Sequence, residues 1–191
     1  GTDYSLAEDF VDGDNYWDNV ANMDKAAPDA HWAAEMFYDY YSSVHNRNSI
    51  NGNGMKIISY VHYDIGYFNA FWNGQFATLG DGTGLPLTTL DVVAHEFTHG
   101  VTQFSAGLDY QDESGALNES FSDIFGKSVE KFARPNGFSW TIGLEFGPNN
   151  SIRSMSNPNS HGDPDTYFGT SWKTGSADNG GVHSNSGVQN K

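Results

Sequence analysis

The pentapeptide His95-Glu96-Phe97-Thr98-His99 reads H-E-x-x-H. On a helix this spacing puts two imidazoles one turn apart on one face. Neutral imidazoles presented that way can share one Zn²⁺, and the intervening glutamate then reaches a water on that metal. Five residues alone leave a second reading open, a polar helix face with two solvated histidines. The neighbouring sequence decides between the two.

Thr88 or Thr89 can cap a helix over about 90–104 that carries the pentapeptide. After a Gly-containing connection, Ser114 can cap a second helix to about Phe132, with an apolar stripe of Leu117, Phe121, Ile124, Phe125 and Phe132. Glu119 and Asp123 stand four apart, and Glu130 lies about three turns beyond Glu119, so the three carboxylates share the other face. Asp91, His95 and His99 share a face of the first helix by the same four-residue step. The short connection predicts antiparallel neighbours. In that register His99 meets Glu119, His95 meets Asp123, and Asp91 comes close to Glu130.

His95, His99 and Glu119 are therefore the expected zinc ligands, with a fourth position left for water as in catalytic sites. Asp123 falls behind His95, placed to accept the ring N–H that faces away from the metal. Asp91 and Glu130 meet on the order of 15 Å from the zinc. Two facing carboxylates repel unless a cation separates them, which Ca²⁺ or the nearby Lys127 could supply.

Composition limits the alternatives. With 191 residues, 37% of them hydrophobic, the chain can bury a core as one large or two small domains. A formal net charge of −15 excludes a partner bound through its phosphate backbone, such as nucleic acid. Without cysteine there are no disulfides and no thiolate-zinc sites. No apolar run reaches membrane-spanning length, no signal-peptide pattern opens the chain, and no G-x-S-x-G elbow supports a serine hydrolase. Asp12-Gly13-Asp14 offers a D-x-D pair that reads either as a weak calcium site or as a solvated turn.

Elsewhere the periodicity is plainer. Residues 28–46 read as a helix with Trp32, Met36, Tyr40 and Val44 on its apolar stripe. Residues 55–64 and 67–78 read as two strands, and 134–191 show little period.

The run from Asp91 to Gly100, followed by Asn118-Glu119-Ser120-Phe121-Ser122-Asp123, resembles the thermolysin family of zinc metallopeptidases. Asn69-Ala70-Phe71-Trp72-Asn73-Gly74, Arg153-Ser154-Met155-Ser156 and Asp178–Gly187 extend the resemblance over nearly the whole chain from about Asp12. It implies an α+β, zincin-like catalytic core. A sheet-containing N-terminal lobe, 1–105, would end in the zinc-binding helix, and a partial, mainly helical C-terminal lobe, 106–191, would supply the third ligand. By this similarity Glu96 is the general base. Tyr110 and His183 donate hydrogen bonds to the oxyanion, and Asp178 orients His183. Arg153 holds a substrate carbonyl, while Asn69 and Ala70 bind substrate backbone along an edge strand. Leu87, Val92, Ile142, Phe146 and Ile152 line the pocket for a hydrophobic residue just after the cleaved bond.

The resemblance thus implies a secreted bacterial endopeptidase that uses one Zn²⁺ and structural Ca²⁺ and acts on proteins or peptides. The sequence departs from the family where the acidic residues of a double calcium site would stand, reading Ser139-Trp140-Thr141-Ile142-Gly143-Leu144 instead. Both ends are short relative to the family, so the missing N- and C-terminal segments are expected partners of this core. The competing expectation is a catalytically inactive zincin-fold fragment, either a binding module or one piece of a nicked enzyme.

Overall fold

The computed structural model describes residues 2–19, 23–147 and 149–191. The mixed α+β architecture is ordered as α1 (Ala26–His45), β1 (Ser59–Tyr63), β2 (Ala70–Trp72), β3 (Ala77–Gly80), α2 (Leu90–Gln103), α3 (Asp112–Ala133), β4 (Thr141–Ile142), β5 (Arg153–Ser154), α4 (Asp178–Asn185) and α5 (Gly187–Asn190). The first three strands form a sheet of order β1-β3-β2, in which β3 is parallel to β1 and antiparallel to β2. Strand β2 is therefore an edge.

The segment 67–78, expected as one strand, is two. Asn73 accepts hydrogen bonds from the backbone N–H of Gln75 and Phe76 at 3.0 Å each, and Gly74 takes φ 98°, so the chain turns there and β2 pairs back onto β3. An Asn-Gly pair between apolar residues is a recognised hairpin signal. In α1 the buried row is Ala26, Ala30, Ala33, Phe37, Tyr40 and Tyr41, whereas Val44, expected on the apolar stripe, is 53% exposed. The wide aromatics Phe37 and Tyr41 set the face, packing on Phe97 of α2 and Phe125 of α3 respectively.

Helix α2 is buried nearly all round, as a central helix must be when elements cover every side. Its N-cap residue is Thr89, whose hydroxyl donates to Asp91 Oδ1 at 2.8 Å rather than capping a backbone amide. Two glycines set how close the neighbours come. A Cβ at Gly126 would stand 2.6 Å from the Asp91 carbonyl oxygen, so α3 lies against the backbone of α2. A Cβ at Gly100 would stand 2.6 Å from Ile50 and 2.9 Å from Trp72, so the edge strand β2 rests directly on α2.

Helix α3 differs from the sequence reading in its start and in part of its apolar stripe. It starts at Asp112, two residues before Ser114, with Gln111 at the N-cap. Its buried face is the polar one, with Glu119, Asp123 and Lys127 all 0% exposed, while Leu117 and Phe132 of the apolar stripe are 37% and 43% exposed. Charged side chains occupy the interior because each finds an ionic partner there, which lowers the cost of burial.

Candidate metal centre

The register between α2 and α3 brings His95, His99 and Glu119 together. One ligand atom from each lies within 4.8 Å of the others, and no other such cluster exists among the described residues. The two Nε2 atoms are 3.1 Å apart, Glu119 Oε2 is 3.4 Å from His95 Nε2, and Oε1 is 3.3 Å from His99 Nε2. Glu119 Oε2 is buried and accepts no hydrogen bond, although buried polar atoms normally find a partner. Two imidazole nitrogens and an unpartnered carboxylate oxygen converging on one point fit a divalent cation of zinc's preference, with a fourth position open toward the cleft.

The groups behind these three side chains hold them in place. His95 Nδ1 lies 2.9 Å from Asp123 Oδ1. Asp123 accepts from Arg153 Nη2 at 2.6 Å and Nε at 2.8 Å, and from Asn190 Nδ2 at 2.7 Å. Burial alone would push Asp123 toward its neutral form. Arg153 and His95 outweigh it and hold the carboxyl well below the usual range. His99 Nδ1 is held by Asn118 Oδ1 at 2.8 Å and lies 3.1 Å from Ser122 Oγ. Both Nε2 atoms are thereby turned toward Glu119. Sequence reading found Asp123 but not Asn118, Ser122 or Asn190. Asn118 and Ser122 stand one residue before Glu119 and Asp123, a spacing that could have been read, whereas Asn190 arrives from α5 across 67 residues.

Burial opposes charging of His95, but the Glu119 carboxylate and then Asp123 overcome it and raise the imidazole to about 10 in the metal-free protein. A raised imidazole keeps its proton from its ordinary value of 6.5 up to about 10, and zinc must displace that proton. Apparent zinc affinity should therefore rise by about tenfold per pH unit in this window. Competition against a chromogenic chelator checks it, and a flat profile would contradict the shift.

The third and fourth walls come from the chain's second half. His183 Nε2 is 3.4 Å from Glu119 Oε1 and 3.2 Å from the Tyr110 hydroxyl, which donates to the same Oε1. Burial, reinforced by Glu119, pushes the Tyr110 phenol upward, so it remains a donor. His183 is set by Asp178, whose Oδ1 is 2.6 Å from Nδ1 and whose Oδ2 accepts the His183 backbone N–H at 3.0 Å. Asp178, Asn179, Gly180 and Gly181 all have positive φ, between 48° and 92°, which curls the start of α4 so that Asp178 reaches back to His183.

A cleft of about 610 Å³ opens onto these groups. His95, Glu96, His99, Tyr110, Glu119 and His183 line it, together with Asn69, Ala70, Leu87, Val92, Ile142, Ile152 and Arg153. Glu96 is buried, and that burial raises its carboxyl above the ordinary value. Phe146 does not line this cleft. It faces a separate hollow beside Trp32 and Arg134, and its ring packs edge-on against Phe68 at 6.0 Å.

The two remaining acidic pairs behave differently from zinc ligands. Asp12 and Asp14 form a turn in which each carboxylate accepts a backbone N–H, of Asp14 at 2.9 Å and Tyr16 at 3.1 Å. Lys127 Nζ stands between Asp91 and Glu130, 3.2 Å from Asp91 Oδ2 and paired with Glu130 Oε2.

An H-E-x-x-H helix, a glutamate from the next helix and an open fourth position form the ligand arrangement of the zincin fold. Comparison with known proteins makes this specific. The thermolysin metallopeptidase catalytic domain matches residues 2–103, and the alpha-helical domain of the same metallopeptidases matches residues 106–191. The chain belongs to the thermolysin metallopeptidase family. It is 53% identical over 190 residues to a bacillolysin of Brevibacillus brevis and 50% identical to a thermolysin of Alicyclobacillus acidocaldarius, in each case over 95% of this chain and 34% of the relative. It thus spans about a third of these relatives' own length. The solved precursor of protealysin, a metalloproteinase from Serratia proteamaculans, superposes with a TM-score of 0.83 at 36% identity, covering 97% of this chain and 62% of that one.

Proposed function

We propose that this chain carries the active centre of a secreted bacterial zinc endopeptidase that cleaves internal peptide bonds before a hydrophobic residue. The observation that carries this reading is the common cleft, in which the three ligand atoms, Glu96, Tyr110 and His183 face one space. Zinc, when bound, supplies a Lewis acid that polarises a carbonyl oxygen and acidifies water. Glu96 takes the proton from the attacking water, and its raised affinity for that proton suits a base that later returns it to the leaving amine. Tyr110 and His183 donate hydrogen bonds where the carbonyl oxygen gains charge, with Asp178 holding the His183 ring.

Substrate backbone adds to β2, an edge strand of the sheet, beside Asn69 and Ala70. Trp72 ties that edge to α2 through a 2.8 Å hydrogen bond to Gln103, so bound backbone runs alongside the metal ligands. Arg153, anchored on Asp123, presents the remainder of its guanidinium to the cleft for a substrate carbonyl. Leu87, Val92, Ile142 and Ile152 give the adjoining wall its apolar character, which favours a hydrophobic side chain just after the cut. The bacterial relatives and the acidic surface support export, and no helix among the described residues is long and apolar enough to cross a membrane.

Digestion of a mixed peptide library tests the specificity. Mass spectrometry of the products should find Leu, Ile, Val or Phe immediately after most cuts. Cuts distributed without regard to that residue, or directed by charge, would refute the pocket assignment.

A further inference from the structure

Lys127 has no part in the chemistry above, yet it is 0% exposed and sits where α2, α3 and β4 meet. Its ammonium is 3.2 Å from Asp91 Oδ2, donates to the Thr141 carbonyl at 3.1 Å, and pairs with Glu130 Oε2. An ammonium has three N–H donors, and here it meets three acceptors from three elements. The Phe138 ring lies 5.5 Å away, within range of a cation–π contact.

Both oxygens of Asp91 are committed. Asp91 Oδ1 accepts from the Thr89 hydroxyl at 2.8 Å and the Val92 N–H at 3.0 Å, while Oδ2 also accepts the Gly143 N–H at 2.8 Å. Glu145, the next acid along the chain, pairs with Arg134. Calcium takes six to eight oxygen ligands. Ser139, Thr141 and Leu144 add no carboxylate here, and the centre of the acceptors is filled by a tethered cation. The residues present do not fit Ca²⁺.

We propose that Lys127 is a covalently built-in replacement for a divalent cation at the α2–α3–β4 junction, making that junction independent of calcium. A single positive charge on a buried side chain neutralises one of two facing carboxylates and cannot be removed by dilution or chelation. It also holds part of the cleft in place, because Val92 follows Asp91 and Ile142 follows Thr141, and both line the cleft. The stability of this junction can be followed in a protein without peptidase activity.

The experiment is thermal unfolding of the zinc-loaded full chain in a Glu96→Gln background, with and without millimolar calcium, and with Glu130→Gln added. The expected calcium-induced shift in Tm is the same with and without Glu130→Gln, since no calcium binds this pair. A shift that Glu130→Gln abolishes would overturn the proposal. In calcium-free buffer Lys127→Met, which keeps the packing and removes the charge, should lower Tm by roughly 10 °C. An unchanged Tm would overturn it equally. Should Lys127→Met fail to fold, the calcium comparison in the Lys127 protein still decides.

Discussion

Glu96→Gln is expected to bind zinc as the parent does and to lose about 10³-fold or more in kcat/KM. Glu96 stands between the two histidines in sequence but contributes no atom to the ligand cluster, which consists of His95, His99 and Glu119. The amide keeps the size of the side chain and one of its oxygens, so the helix and the cleft should be unaltered. It has no free carboxylate to accept the water's proton, and proton transfer by a positioned side chain is worth about 10²–10⁴-fold. Parallel assays of zinc stoichiometry and peptide hydrolysis check both halves. Hydrolysis near the parent rate would show that the base lies elsewhere, and loss of zinc would show that Glu96 is a ligand.

Glu119→Gln is expected to have the opposite signature, with weakened zinc binding first and lost activity as its consequence. The Glu119 carboxylate is wholly buried, and despite that burial His95 and His99 hold it well below its ordinary range. It is therefore an anion waiting beside two neutral-ligand positions. A neutral amide removes the only anionic ligand of the cluster. Loss of partners that merely orient ligands costs about 10–100-fold in metal affinity, so loss of this ligand should exceed about 100-fold. Competition with a chromogenic chelator measures it. Affinity within a few-fold of the parent would remove Glu119 from the coordination sphere.

The centre was legible because helices convert spacing into geometry. Four-residue steps on α2 and α3 and a short connection were enough to place His95 against Asp123 and His99 against Glu119. His183, Tyr110 and Asp178 were not legible by spacing, since they lie outside those steps. They came from the family resemblance; the geometry brings Tyr110 and His183 to Glu119, and the left-handed run 178–181 lets Asp178 reach His183. Of the α3 apolar stripe, Ile124 and Phe125 pack against the core, whereas Leu117 and Phe132 are partly exposed. Ion pairing to His95, Arg153 and Asp91 draws Asp123 and Lys127 in. The β2–β3 hairpin was missed where Asn73-Gly74 was read as strand. Phe146 shows the limit of carrying a role across by resemblance, because its ring turns to Phe68 and away from the cleft.

On the proposed reading, one zinc held by His95, His99 and Glu119 makes this cleft hydrolytic. The decisive measurement is to titrate zinc into metal-free protein while following hydrolysis of a peptide with a hydrophobic residue after the scissile bond. The rate should rise from background in proportion to added zinc and level off at about one equivalent per chain, as a single three-ligand site requires. Full activity before any zinc is added, or no activity after the site is filled, would contradict it.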